Sequence, residues 1–475
     1  MKQLSGLDAG FLYMETPTTF GHINSVSIYE RPRTRGFKPY ELFRGQIESR
    51  LDQLEPLRRR LVEVPFGLDH PWWIEDPDFD LDFHLRHIAA PPPGGDRELA
   101  DLVARIISRP LDRRRPLWEA YVIEGLKQRR WAVLLKVHHA TIDGASGAEL
   151  LTLLLDDQPD DGTSREPSAP SAKGPESKPE AVPSPTQMLT RTALNFAMRP
   201  ERMARAQLKA WRQATDIATR HRGESIAANL PSKPLGPAPT TPFNKAISPQ
   251  RRFAFRTTSL DDIKAIKNHF GATVNDVVMA ACAGGLRHYL QNHDQLSDRP
   301  LLAAVPVSMR TGDETEKWTN RVSSIVAALP THLEDRLERL AFTNSSMNEA
   351  KATFDLVPMD ALVDFSQFSP PALFTETAAI ATRMRLADRL NPAVNLIISN
   401  VPGPRQALYL GPCKLAHYYP VSTIAEGQGL NITVQSYEDK LDFGLVGCRE
   451  LMPDIWDVLD YVVEEITAFT ALIED

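Results

Sequence analysis

Residues 131–144 read Trp-Ala-Val-Leu-Leu-Lys-Val-His-His-Ala-Thr-Ile-Asp-Gly, and this stretch decides the fold. It opens with an apolar and β-branched run of strand length. A polar turn follows, and over residues 145–155 the leucines recur at helical spacing. The pattern predicts a buried strand, a loop that carries His138 and His139, and then a helix. Side chains at the end of a buried strand are exposed yet held by a rigid element, as functional side chains usually are.

The composition limits the class of protein. With 475 residues and 42% hydrophobic content, the chain is long enough for two domains of roughly 150 to 200 residues each. Its net charge of −7 argues against a general nucleic-acid binder, which would be strongly basic. Cys282, Cys413 and Cys448 are widely separated, so we expect neither disulfides nor a zinc site, and a reducing cytoplasm fits. Without a secretory signal or a membrane span, the protein is expected to be soluble or peripheral.

Alternating strand-like and helix-like runs predict two α/β lobes, at residues 1–155 and 246–475. Between them, residues 156–185 are rich in Asp, Pro, Ser, Lys, Glu and Gly, which predicts a disordered linker. Residues 186–245 then contain a basic amphipathic helix over 186–222 and a Pro-rich connector. Strands are predicted at 22–29, 118–125, 131–138, 252–257, 301–307 and 393–399, a hairpin over 430–447, and helices at 40–51, 97–108, 260–270 and 275–290.

His139 has the chemistry that acyl transfer needs. Moving an acyl group from a thioester to an alcohol requires a base for the hydroxyl proton, and a neutral imidazole suits that role near pH 7. Neither a Gly-x-Ser-x-Gly elbow nor a cysteine accompanies the histidines, which favours direct transfer without a covalent intermediate. The oxyanion of the tetrahedral intermediate needs a preorganised donor, for which Asn275 is the candidate. Adjacent histidines on a strand point to opposite faces, so at most one of them faces the reaction.

Plainer interpretations of the same residues remain open. Asp143 and Gly144 also fit a turn and a helix start. Thr273 and Asp276 fit a capping box. Residues 399–404 fit a rigid turn after a strand. No metal is expected, because the histidines lack the spacing and the third ligand of a metal site.

The motif at 138–144 matches the HHxxxDG signature of a superfamily of acyltransferases. That superfamily contains chloramphenicol acetyltransferase, peptide-synthetase condensation domains and the bacterial wax ester synthase/diacylglycerol acyltransferases. Further blocks resemble the last group in particular and occur in its order, at residues 4–12, 116–118, 275–278, 306–310 and 399–404. These blocks cover both lobes and leave the linker and the basic helix as the part unlike the family.

The resemblance implies a role for each motif residue. His139 would act as general base, and His138 would support the loop. Asp143, followed by Gly144, would be structural and would pair with a distant arginine, for which Arg310 is the candidate.

Two further blocks would complete the site from the second lobe. Asn275 would lie near the catalytic histidine, with Asp276 either supporting the site or only capping its helix. The block after the predicted strand at 393–399 would border the substrate channel through Ser399, Asn400, Pro402 and Gly403.

The fold that the resemblance implies is α/β, with two chloramphenicol-acetyltransferase-like sandwich lobes and the active-site channel between them. Acyl-CoA would be a co-substrate and no cofactor would be needed, while diacylglycerol or a long-chain alcohol would accept the acyl group. The 186–222 helix either docks on an anionic inner membrane or lipid droplet, giving a cytoplasmic and peripheral protein, or covers the second lobe. Alternative functions are an acyltransferase of polyketide or complex-lipid assembly with carrier-bound donors, and a non-catalytic lipid-droplet protein. The oligomeric state stays open.

Overall fold

The computed structural model describes residues 1–142, 150–160, 182–198, 237–308, 322–355 and 371–474. Within these residues the architecture consists of two six-stranded mixed sheets, a small three-stranded sheet and the helices that cover them. The expected two-lobed α/β fold is confirmed. Asp143, Gly144 and Arg310 lie outside the described residues, as do residues 161–181 of the linker and 199–222 of the basic segment.

The first sheet contains the histidine strand in its interior. Its strands, in spatial order, are β12 (Tyr409–Leu410), β13 (Cys413–Val421), β2 (His22–Glu30), β7 (Arg130–His138), β6 (Trp118–Glu124) and β5 (Leu85–Ala89). β5 and β6 are parallel and the other neighbours are antiparallel. β7 is buried along nearly its whole length, which explains why it reads as a continuous apolar run.

The second sheet belongs to the second half of the chain. Its strands, in spatial order, are β10 (Val322–Leu329), β9 (Leu301–Ser308), β11 (Leu396–Val401), β14 (Leu430–Tyr437), β15 (Lys440–Cys448) and β8 (Arg251–Ser259). β11 runs parallel to both of its neighbours. The predicted hairpin is confirmed as β14 and β15, which pair antiparallel around a turn at Glu438 and Asp439.

The two lobes do not separate at one point in the sequence. β12 and β13 come from the second half of the chain, yet β13 pairs antiparallel with β2, with Val421 opposite Asn24. Without β13, β2 would leave an unpaired edge of N–H and C=O groups. Asp442 on β15 accepts the Tyr418 N–H of β13 at 2.7 Å, which ties this strand to the second sheet. Residues 409–421 therefore join the lobes, although the sequence places them within the second.

The described helices cover the sheets, and four of them match the helices predicted at 40–51, 97–108, 260–270 and 275–290 to within two residues. They are α1 (Gly6–Tyr13), α2 (Pro39–Arg50), α3 (Glu55–Arg58), α4 (Leu81–His84), α5 (Asp96–Ile107), α6 (Pro185–Met198), α7 (Leu260–His269), α8 (Val274–Asn292), α9 (Arg336–Asp355), α10 (Pro371–Arg383) and α11 (Ile455–Glu474). In α5 the apolar side chains recur on one face, which is buried against β8 of the second lobe. None of the described helices combines the length and the apolar character that crossing a membrane would need.

The small sheet lies beside the N-terminus and supports α6. Its strands, in spatial order, are β1 (Lys2–Gln3), β4 (Trp72–Glu75) and β3 (Arg59–Val62), and a 3-10 turn at Pro65–Gly67 follows β3. Arg191 of α6 lies 5.7 Å from the centre of the Trp72 ring. The described part of the predicted basic segment is therefore helical and packs against the first lobe.

Candidate active site

The histidine pair lies where the central strand of the first sheet ends. His138 is the last residue of β7 and stands opposite His22 of β2. The N–H of His138 donates to the Leu117 carbonyl at 2.9 Å, and the N–H of His139 donates to the Gly21 carbonyl at 2.7 Å. The main chain of both histidines is thus fixed from two sides, as the strand-and-loop pattern predicted.

His138 is enclosed by the protein, with 1% of its side chain exposed. Its Nδ1 accepts the Ala140 N–H at 3.0 Å, so the neutral ring carries its proton on Nε2. That Nε2 lies 3.3 Å from Oε1 of Glu15. A ring held in this way supports the loop and is not presented to a substrate.

His139 is half-buried and its ring is stacked on a phenylalanine. The ring centroids of His139 and Phe11 are 3.9 Å apart, with 7° between the planes. Phe11 belongs to α1, which begins at a good cap because the Ser5 hydroxyl accepts the Asp8 N–H at 3.1 Å. The block at residues 4–12 therefore fixes the plane of the His139 imidazole.

The block at residues 116–118 supports the histidine strand from the next strand, β6. The Trp118 indole donates to the Leu57 carbonyl at 2.7 Å and is fully buried. The His84 ring stacks on it at 4.5 Å, and Nδ1 of His84 donates to the Trp118 carbonyl at 2.8 Å. Burial lowers the pKa of His84, so this ring stays neutral and acts in packing.

Glu15, directly after α1, is a site residue that sequence reasoning missed. Its Oε1 accepts the Gly21 N–H at 2.8 Å, and its Oε2 accepts Nε and Nη2 of Arg113 at 3.1 and 2.7 Å. Burial opposes its ionisation, but the His138 ring, Arg113 and the Gly21 N–H outweigh burial and lower the pKa of Glu15 to about 2. Because Glu15 and Arg113 are far apart in sequence, no local pattern could have indicated their pairing.

The interior behind the histidines is cationic. Lys136 donates to the Arg109 carbonyl at 2.5 Å, and burial lowers the pKa of Lys136 to about 8. Burial also lowers the pKa of Arg251 to about 10, and burial together with the Lys136 charge lowers the pKa of His22. Glu15 is one of the carboxylates that offset this charge.

At the start of α8 the structure separates Asn275 from Asp276. Asp276 is buried and accepts the Thr273 N–H at 2.9 Å, while its own N–H donates to the Thr273 hydroxyl at 3.2 Å. Oδ2 of Asp276 also accepts the Asn344 side-chain amide at 2.9 Å, so this oxygen serves both the capping box and a link to α9. Asn275 is half-buried in the first turn, and the described contacts do not join it to either histidine. Its role as oxyanion donor stays a prediction.

The block at residues 399–404 ends β11 and continues beside β14. Ser399 and Asn400 are half-buried on the strand, and Pro402 is exposed. The Gly403 N–H donates to the Ser436 hydroxyl at 3.0 Å, and a Cβ at Gly403 would lie 2.0 Å from the Ser436 carbonyl oxygen. The glycine is therefore required for close packing on β14, and the described contacts do not bring the block to the histidines.

The cysteines are poorly suited to form an acyl-enzyme. Cys282, Cys413 and Cys448 are buried free thiols. Burial raises the pKa of Cys282 and that of Cys413 to about 12, so both stay protonated near neutral pH. Among the described residues, no group of three His, Cys, Asp or Glu side chains could hold a metal ion. What the arrangement offers is an imidazole on a rigid strand end, with its ring plane and its backbone fixed.

Comparison with known proteins extends over the whole chain. Residues 4–278 match the wax ester synthase/diacylglycerol acyltransferase catalytic domain, and residues 318–470 match the C-terminal domain of the same family. Two Mycobacterium tuberculosis proteins named as diacylglycerol O-acyltransferases are similar. One is 36% identical over 97% of this chain and 88% of its own length, and the other is 34% identical over 96% of each.

Solved structures agree with the fold. The wax ester synthase/diacylglycerol acyltransferase from Marinobacter aquaeolei VT8 superposes with a TM-score of 0.69 and 29% identity over the full length of both chains. The first condensation domain of the CDA synthetase has a TM-score of 0.52 and 17% identity, covering 100% of this chain and 96% of its own. The condensation domain supports the fold alone.

Proposed function

This chain belongs to the wax ester synthase/diacylglycerol acyltransferase family, and from that premise we propose how its histidine pair carries out O-acyl transfer. The donor is a long-chain acyl-CoA, and the acceptor is the hydroxyl of diacylglycerol or of a long-chain alcohol. The observation that carries the proposal is the presentation of His139, half-buried at the end of an interior strand and stacked on Phe11.

In the proposed reaction His139 acts as general base. Its imidazole takes the proton of the acceptor hydroxyl as the oxygen attacks the thioester carbonyl. The resulting oxyanion needs a hydrogen-bond donor, the role proposed for Asn275. When the intermediate collapses, the carbon–sulfur bond breaks, and the imidazolium returns the proton to the CoA thiolate. The ester and free CoA are the products, and no acyl-enzyme is formed.

Direct transfer is supported by what surrounds the histidines. His138 accepts the Ala140 N–H and is enclosed beside Glu15, so the more accessible His139 is the imidazole that we propose as the base. The buried thiols of Cys282 and Cys413 are held in the unreactive protonated form. These two thiols are therefore poor nucleophiles, which fits a single displacement.

The test uses purified protein, palmitoyl-CoA and either diolein or hexadecanol, with thiol release and ester product measured together. His139→Ala should lose about 10²- to 10⁴-fold in kcat, the range of a positioned general base. His87→Ala is the matched control, since His87 is half-exposed on β5 and pairs with Glu124. Undiminished turnover by His139→Ala would refute the assignment of His139 as the base. Turnover only with carrier-bound acyl groups would favour the alternative of an acyltransferase of polyketide or complex-lipid assembly. The rates of triacylglycerol and wax ester formation show whether the enzyme prefers diolein or hexadecanol as the acceptor.

We further propose that the enzyme reaches its water-insoluble substrates from a lipid surface, the inner membrane or a lipid droplet. Large apolar side chains are exposed on or directly after α1, the turn at Pro65–Gly67, α6 and α10; α10 contacts α1 and the turn, and α6 contacts the turn. They are Met14, Phe66, Leu68, Leu194, Ile380 and Met384. Phe66 is 84% exposed with a positive φ of 61°, an unusual backbone conformation for a bulky residue. Scattered apolar residues need no explanation, but exposed apolar side chains gathered on elements that contact one another are typical of an interaction surface.

The position of these side chains favours a lipid as the partner. α1 carries Phe11, which stacks on His139, and ends next to exposed Met14. An acyl chain or alcohol that leaves a bilayer at this surface would therefore arrive about one helical turn from Phe11, the residue stacked on His139.

The docking surface is tested with a Phe66→Ser, Met384→Ser double variant and vesicles of phosphatidylglycerol. Burying one such side chain contributes about 1.5 to 3 kcal/mol, so vesicle binding should weaken at least about tenfold. Leu337→Ser is the control, because Leu337 is 43% exposed on α9, a helix that packs on α8 and β10. Unchanged vesicle binding by the double variant would refute the surface, while its turnover on detergent-dispersed substrates should be retained.

A further inference from the structure

We infer that Glu15, clamped by Arg113, is a positioning residue that holds both histidines in their working geometry. The inference rests on the proposed role of His139. Glu15 lies outside the HHxxxDG motif and has 14% of its side chain exposed. Its two carboxylate oxygens are divided between Arg113 on one side and the Gly21 and His138 segments on the other.

The first effect of Glu15 is on His138. The Ala140 N–H occupies Nδ1, so the neutral ring carries its proton on Nε2, and Nε2 lies 3.3 Å from Oε1 of Glu15. The same ring is packed tightly against Gly21, where a Cβ would lie 2.7 Å from Nε2. The Ala140 N–H sets the tautomer, and the adjacent Glu15 carboxylate restrains the position of a ring that has no room to adjust.

The second effect reaches His139 through the main chain. Oε1 of Glu15 accepts the Gly21 N–H at 2.8 Å, and the Gly21 carbonyl accepts the His139 N–H at 2.7 Å. Gly21 therefore links the Glu15 carboxylate to the backbone of His139 through two hydrogen bonds.

The third effect reaches the His139 ring through α1. Nη2 of Arg113 donates both to Glu15 at 2.7 Å and to the Leu12 carbonyl at 2.7 Å. Leu12 follows Phe11, whose ring is stacked on His139. The backbone anchor of the base and the aromatic ring against it are thus both held by one ion pair.

A second carboxylate near Arg113 supplies the matched control. Glu63 lies 3.4 Å from Nη1 of Arg113 and has 63% of its side chain exposed. Glu63 has no described contact with Gly21 or His138. If only the pairing of Arg113 with a carboxylate affected catalysis, Glu63→Gln would lower kcat as much as Glu15→Gln.

The experiment compares Glu15→Gln, Glu15→Ala, Glu63→Gln and His139→Ala in the full-length enzyme with palmitoyl-CoA and diolein. Misplacing a catalytic group by about 1 Å costs up to about 100-fold, so we expect kcat to fall about 100-fold in Glu15→Ala. In Glu15→Gln the amide oxygen still accepts from Gly21, and a loss of about tenfold is expected. The KM for both substrates should stay within about twofold of the wild-type value, because neither contact binds substrate.

Two sets of kinetic results would contradict the positioning role of Glu15. A wild-type kcat in Glu15→Gln and Glu15→Ala, or a raised KM with unchanged kcat, would overturn the inference. Equal losses in Glu63→Gln would do the same. If Glu15→Ala fails to fold by thermal unfolding, the nearly isosteric Glu15→Gln decides alone. Should His139→Ala stay active, the proposed function fails; should His139→Ala be inactive while both Glu15 variants stay active, only this inference fails.

Discussion

Adding a single methyl group at Gly21 tests how tightly the histidine pair is packed. A Cβ at this position would lie 2.7 Å from Nε2 and 2.9 Å from Cε1 of His138, and 2.9 Å from the Phe11 carbonyl oxygen. Ordinary contacts between non-bonded heavy atoms are about 3.5 to 4.0 Å, so these neighbours must move by roughly 1 Å. Gly21 has no unusual φ that alanine would strain, and the effect is steric.

The expected cost has a stability part and a catalytic part. Overpacking of a filled interior typically costs about 1–3 kcal/mol, which predicts that Gly21→Ala lowers the free energy of unfolding by that amount. His138 and Phe11 flank His139, the proposed general base, so a displacement of about 1 Å should lower kcat by up to about 100-fold. The KM should change less than kcat, because neither neighbour is proposed to hold a substrate.

Gly10 provides the control within the same helix that presents Phe11. A Cβ at Gly10 would meet nothing within 4 Å. Gly10→Ala should leave kcat unchanged and stabilise α1 by up to about 1 kcal/mol, the helix-propensity difference between the two residues. Thermal or urea unfolding gives the stability, and thiol release from palmitoyl-CoA gives kcat and KM. If Gly21→Ala matches Gly10→Ala in both, the packing argument around the histidines is wrong.

Three further predictions concern other parts of the molecule. Asn275→Ala should lower kcat about 10²- to 10³-fold with little change in stability. Asp276→Ala should chiefly lower the free energy of unfolding, by about 1 kcal/mol for the lost cap. If Asp276→Ala loses activity and Asn275→Ala loses stability, the two assignments are the wrong way round. Lys136 has its pKa lowered from 10.5 to about 8, so the unfolded state binds more protons between these values and stability should rise with pH across that window. Relative to Lys136→Met, which lacks the group, the wild-type protein should gain about 2 kcal/mol between pH 8 and pH 10, and an unchanged difference would contradict the buried charge. Gly403→Ala would place a Cβ 2.0 Å from the Ser436 carbonyl oxygen, so it should destabilise the second sheet by about 3 kcal/mol or more, visible as a lower unfolding midpoint.

The parts of the fold that could be predicted are those that local spacing specifies. The strand at 131–138 became β7 and the helix at 275–290 became α8, because each has a period or an apolar run within a few residues. The capping box at Thr273 and Asp276 was also legible, since its two hydrogen bonds join residues three apart. His139 could be proposed as the base in the same way, because it directly follows the strand that carries it.

Contacts between residues far apart in the sequence could not be predicted. β13 lies within the second half of the chain and pairs with β2, and no periodicity distinguishes that partner from a strand of its own lobe. The block at residues 4–12 was recognised as a motif, but its spacing did not indicate that Phe11 stacks on His139. Glu15 carried no signal at all, because a single acidic residue after a helix is normally solvated.

The sequence by itself determined the two α/β lobes, the strand that ends in two histidines and the identity of His139 as the candidate base. Those features follow from side-chain chemistry and from periods of two and 3.6 residues, which are local properties of the chain. Only the tertiary structure decided which histidine is enclosed, what fixes the plane of the other and which carboxylate holds them both. Glu15 reaches His138 and Arg113 across long loops of chain. Such contacts form because burying a charge requires a partner, and the fold, not the local sequence, decides which partner is within reach.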